Sequence, residues 1–143
     1  MIQIRAAAAL LIAASVSVAA AQTKKPAGAN TVTYDVTIVA EGTPYTGKMD
    51  LTVVRGKVTG SMHITQPTEI TGKPAGTVKA GDVALDFPYH MVQRNCDGQI
   101  AMNFKLAPKP GPSKGTVSIV DCGGDPSNKL PGTIELTPAR PAK

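Results

Sequence analysis

From residue 31 the chain alternates apolar and polar side chains with period two, and until about residue 136 only turn signals interrupt it. Val32, Tyr34, Val36 and Ile38 oppose Thr31, Thr33, Asp35 and Thr37; Tyr45, Met49, Leu51 and Val53 oppose Thr46, Lys48, Asp50 and Thr52. A helix would scatter such a set around its circumference, whereas a strand places it on one face. The chain is therefore all-β, built from strands that bury one side only.

The runs succeed one another with short links. Arg55-Gly56 reads as a two-residue hairpin, after which Val58, Met62 and Ile64 oppose Lys57, Thr59, Ser61 and His63. A weaker strand over about 69–79 contains Pro74, which predicts an edge or a bulge. Beyond Ala80-Gly81, Val83, Leu85, Phe87, Tyr89 and Met91 share a face; Ile100, Met102, Phe104 and Leu106 follow, then Val117 and Ile119, then Ile134 and Leu136. These make about eight antiparallel strands in meander order.

A glycine followed at the second position by an apolar residue recurs six times, at Gly47, Gly60, Gly76, Gly98, Gly115 and Gly132. Each has the parity of the apolar face. Inward glycines near strand ends let strands coil tightly, as a small closed barrel requires. An eight-stranded up-and-down barrel is the expected architecture, with a two-sheet sandwich as the alternative. The plan resembles lipocalin-like and avidin-like secreted barrels in architecture alone, for the chain has no tryptophan and hence no Gly-x-Trp signature.

The segment before the alternation reads differently. A short start with Arg5 precedes an apolar run from Ala6 to Ala20, broken only by Ser15 and Ser17 and ending in Ala19-Ala20-Ala21. Basic start, apolar middle and small-residue exit predict a signal peptide over 1–21, and the run falls short of the roughly 20 residues a spanning helix needs. The expected organisation is then a flexible leader over 22–30, one β domain over 31–138 and a tail over 139–143. The mature form has no membrane span and is exported to the periplasm or outside a bacterial cell. A lipid-facing barrel fits poorly, since aromatic girdles are missing.

Removing Arg5 with the signal lowers the formal charge by one from the +5 of the whole chain. The lysines are scattered (Lys48, Lys57, Lys73, Lys79, Lys105, Lys129) and stacking aromatics are few, which argues against a nucleic-acid partner. Weak attraction to an anionic envelope surface is the most such a charge supports.

Cys96 and Cys122 are the only cysteines, and in an oxidising compartment they predict a disulfide. Directly opposite placement would turn Val117 and Ile119 outward, so a bulge or a cysteine just outside the ladder is required. Without C-x-x-C spacing, a redox-active pair is disfavoured.

Catalytic chemistry is hard to find. His63 and His90 fall on the polar face of strands separated by another strand, too far apart to share a metal. Asp86, His90 and Arg94 form a possible surface constellation, but Asp86 and His90 lie about 13 Å apart along an extended strand, beyond proton-transfer reach. Asp121-Cys-Gly-Gly-Asp125-Pro-Ser-Asn128 resembles no EF-hand spacing; Asp125-Pro126 reads as a helix cap opening one short turn in preference to a weak calcium loop. Neither cofactor nor metal is implied, and the threonine rows are too irregular for an ordered surface-binding array.

The interior carries the remaining information. Tyr34, Tyr45, Met49, Met62, Phe87, Tyr89, Met91, Met102 and Phe104 point inward by parity and form the candidate ligand-binding set. Four methionines among them make an adaptable apolar lining, and tyrosine hydroxyls at the mouths can orient a guest. The leading reading is a non-enzymatic barrel that binds a small apolar molecule. The alternatives are a filled domain acting through an exposed apolar patch or an unpaired edge near 69–79, and a small hydrolase or isomerase using His63 or His90.

Overall fold

In the computed structural model, which describes residues 29–108 and 111–140, the alternation becomes nine antiparallel strands and no helix among the described residues. They are β1 (Asn30–Ala40), β2 (Thr43–Val54), β3 (Lys57–Gln66), β4 (Ile70–Gly72), β5 (Ala75–Lys79), β6 (Asp82–Met91), β7 (Cys96–Lys105), β8 (Ser113–Val120) and β9 (Lys129–Pro138). The expected signal peptide over 1–21 and most of the leader lie outside the described residues, as do the last three residues of the tail.

Consecutive strands pair with each other, except that β4 and β5 each pair with β3 and β6, and β1 also pairs with β9 from Tyr34↔Pro138 to Ala40↔Gly132. The sheet therefore closes on itself as an up-and-down barrel, and the sandwich alternative falls. Eight positions go around the barrel, because β4 and β5 lie end to end between β3 and β6.

That shared position corrects the expectation for Pro74. The strand is not an edge, since β4 and β5 are paired on both sides. It is not a bulge either. Met62↔Gly72 and Thr59↔Ala75 on one side, and Gly72↔Tyr89 and Ala75↔Asp86 on the other, leave Lys73-Pro74 opposite two residues of each neighbour. The ladder opens there because proline has no N–H to donate, and Pro88 of β6 lacks one in the same region. The Pro74 ring faces inward and is fully buried.

Tight coiling follows from the glycines. A Cβ built on Gly60 would fall on the carbonyl of Asp50, one on Gly76 on that of Ala84, and one on Gly115 on that of Asn103. Neighbouring backbones thus approach closer than any side chain permits. Three two-residue hairpin turns reverse the chain: Glu41-Gly42, Arg55-Gly56 and Ala80-Gly81. Both residues of each have positive φ, the twist that matches right-handed hairpins.

The middle of the barrel is filled. Met49, Phe87, Met102 and Leu136 are completely buried, with Val36, Ile38, Val58, Met62 and Ile64 around them. The outside is polar and carries ion pairs such as Lys48–Asp35 at 2.7 Å. Val92 is the one exposed large hydrophobic side chain among the described residues. This inside-apolar, outside-polar arrangement is the reverse of a lipid-facing barrel.

Cys96 and Cys122 form a disulfide. The register Gln99↔Val120 keeps Val117 buried, and Cys122 lies just past the end of β8. The chain leaves the ladder at Asp121, and Gly123, with φ +70°, donates its N–H to the Asp97 carbonyl at 3.0 Å. The half-turn swings Cys122 inward toward Cys96 without reversing the face of β8.

Candidate functional site

An up-and-down barrel brings alternate links to the same end. Glu41-Gly42, the β3–β4 link over 67–69, the β6–β7 link over 92–95 and the β8–β9 link over 121–128 therefore surround one mouth. Beneath them the core leaves a cavity of about 220 Å³. Its floor and walls are aliphatic, with Ile38, Ile64, Ile70, Ile100 and Met91 supplied by five different strands. Tyr45 and Tyr89 add two phenols, and Glu41, Arg94 and Asp121 stand at the rim.

The phenols are placed by β parity. Tyr89 is 4% exposed, near the end of β6, and its ring lies against Gly98, where a side chain would collide with it. Its hydroxyl donates to the Val120 carbonyl at 3.2 Å. Burial, then the negative charge of Asp121, pushes the Tyr89 hydroxyl up to about 12, so it remains a protonated donor throughout the physiological range. Tyr45 is half-buried on β2 and faces the same space.

The rim is tied together on one side. The Gln93 side-chain oxygen accepts from the Thr68 hydroxyl at 2.6 Å and from the Glu69 N–H at 3.0 Å, joining the β3–β4 and β6–β7 links. Val92 adds a backbone bond to the Glu69 carbonyl at 3.1 Å. The disulfide and the Arg94–Asp121 pair, at 3.9 Å, join the β6–β7 and β8–β9 links.

Of the residues expected to line a ligand site, only Tyr45, Tyr89 and Met91 surround this cavity. Met49, Met62, Phe87, Met102 and Phe104 pack one another in the core. Tyr34 sits at the opposite mouth, beside Val32, Val53 and Leu106, around a smaller space of about 180 Å³. Sequence reasoning missed Glu41 and Gln93 and considered Asp121 only within a weak calcium loop; all three occupy links where period-two parity carries no information. The meander order alone would have grouped them at one end.

The other candidates separate. His63 and His90 flank Thr71 in one outward row, two strand spacings or about 10 Å apart. Each pairs with a carboxylate instead, His63 with Glu69 at 3.0 Å and His90 with Asp97 at 2.9 Å. Asp86 is remote from both partners proposed for it, opposite Ala75 and Ala101. No group of three or more potential metal ligands occurs among the described residues.

The Asp125 segment forms a turn and not the expected helical start. The Asp125 carboxylate accepts from the N–H and the hydroxyl of Ser127, both at 2.8 Å, and the Asp125 carbonyl accepts from the Asn128 N–H at 2.9 Å. β9 begins at Lys129, leaving no length for a helix. The apolar patch and unpaired edge that would favour action through the outer surface do not occur among the described residues. The chain matches no protein-family model, no curated protein and no solved structure.

Proposed function

We propose that the protein is an exported, non-enzymatic barrel that holds a small, mainly apolar molecule in the cavity between Tyr45 and Tyr89. The observation that carries this reading is the cavity itself: about 220 Å³ of space between aliphatic side chains and a polar mouth, its surface polar and apolar in nearly equal measure, in a barrel whose middle is otherwise filled. A dry apolar cavity of about 150 Å³ accommodates benzene, so the space suits a guest of one ring with a short substituent. Two phenols, one of them held protonated, are suited to orienting a guest by hydrogen bonds and poorly suited to moving protons near neutral pH.

Native mass spectrometry of the mature, oxidised protein exported in its source organism tests the reading. The expected result is a reproducible extra mass that is released on unfolding. Ile119→Phe, which intrudes on the cavity wall, should remove that mass while the fold persists. A clean apo mass, with no thermal stabilisation by single-ring apolar probes, would defeat the proposal.

A further inference from the structure

Resting on the cavity reading, we infer that the guest carries a cationic head, an ammonium on a compact apolar body, seated between Glu41 and the two tyrosine hydroxyls. The charges at the rim point this way. Glu41, Arg94 and Asp121 line the mouth, two acids against one base, although the chain as a whole is basic at +5.

Their pairings sharpen the asymmetry. Arg94 already faces Asp121 at 3.9 Å, and the Asp121 carboxylate also accepts the Cys122 N–H at 2.8 Å. Glu41 makes no ion pair among the described residues and stands exposed at the β1–β2 turn. An anionic head would have to draw Arg94 from Asp121 while facing both carboxylates. An ammonium meets Glu41 directly and displaces nothing. At the Tyr89 hydroxyl the influence of Asp121 exceeds that of Arg94, in line with two acids against one base at the rim.

The uncharged groups agree. The Tyr89 hydrogen is committed to the Val120 carbonyl, so toward a guest this hydroxyl can offer only its oxygen, which the neighbouring Cys122 N–H also approaches. An ammonium has three hydrogens to donate and accepts none, whereas a carboxylate only accepts. The aliphatic walls formed by Ile38, Ile64, Ile70 and Ile100 take the apolar body.

The test is calorimetric titration of the oxidised protein with phenethylamine, phenethyl alcohol and phenylacetate, which share one ring and differ in the head. At low ionic strength the amine should bind about threefold to tenfold tighter than the alcohol and the acid weakest, with the gap narrowing as salt is added. Glu41→Gln should lower the amine-to-alcohol affinity ratio, and Arg94→Gln should raise it. Tightest binding of phenylacetate, or a ratio that neither variant moves, would overturn the cationic head while sparing the cavity reading. Failure of all three probes to bind would remove both.

Discussion

Tyr89 reaches across from β6 to the end of β8, where its hydroxyl donates to the carbonyl of Val120 at 3.2 Å. The bond links the wall of the cavity to the link that carries Asp121, one residue beyond. Its energetics follow from its surroundings. The folded protein holds the phenolic hydrogen up to about pH 12, whereas the ordinary value is 10.0, because burial and then Asp121 disfavour the phenolate.

A pH dependence results. A group whose pKa rises on folding contributes stability that is present below its unfolded value and is lost as pH climbs through its folded one. Stability should therefore be insensitive to Tyr89 below pH 10 and decline between pH 10 and 12, with Tyr34, also raised by burial, adding to the decline. Tyr89→Phe should cost about 1 kcal/mol at neutral pH through the lost hydrogen bond. It should also flatten the alkaline decline. Denaturant midpoints measured across that range check both, and an equal slope in the variant would refute the assignment.

The inward glycines make a sharper prediction. At Gly76 an added methyl group would fall on the Ala84 carbonyl, and backbone cannot rotate away as a side chain can. Gly76→Ala should cost about 2–3 kcal/mol, as forced overpacking does. The same holds for Gly115→Ala against the Asn103 carbonyl. A melting temperature unchanged in either variant would show that the strands need not approach so closely.

The disulfide spans a sequence separation of 26 residues and clamps two links of the cavity mouth. Constraining the unfolded chain over such a loop is worth about 3.5 kcal/mol in the chain-entropy model. Replacing Cys96 and Cys122 together with serine should lower stability by about that amount. Because Arg94 and Asp121 lie close beside the bridged cysteines in the chain, amide exchange should quicken over 92–95 and 121–125 more than in β2. Uniform exchange throughout the barrel would argue against a local clamp.

What the sequence made legible was whatever parity controls. Val36, Met49 and Leu136 stand between polar neighbours, Phe87 and Met102 keep the same parity in their strands, and all five lie in the core. The glycine repeat announced closure because glycine on an apolar face has no better reason to be there. Pro74 misled, since a missing N–H marks an edge in most sheets. Here the interruption occupies two residues in register, and the buried ring serves the core instead. Ser113 was invisible for a related reason: it has inward parity and is 4% exposed, yet its hydroxyl accepts the Ala107 N–H at 2.9 Å, a loop contact no pattern encodes. The rim at Glu41, Gln93 and Asp121 follows from the meander order, which puts their links at one end, but parity says nothing of which link side chains meet there.

The division between a filled middle and an open mouth can be read from two methionines. Met102 is wholly buried, opposite Leu85 and Val117 on the neighbouring strands, and lines neither mouth cavity. Met91 is 9% exposed and already borders the cavity. Truncating Met102 to alanine removes contacts on every side and leaves a new void, at a cost of about 2–5 kcal/mol. Truncating Met91 enlarges a space that exists, so fewer packing contacts are lost and the cost should fall to about 1–2 kcal/mol. The two variants should part in binding as well. Met91→Ala should admit a bulkier single-ring probe, such as a methylated phenethyl alcohol, whereas Met102→Ala should not alter the preference at the mouth. Equal losses of stability from both, measured by chemical denaturation, would mean that the mouth is as tightly packed as the core and that the cavity closes in solution.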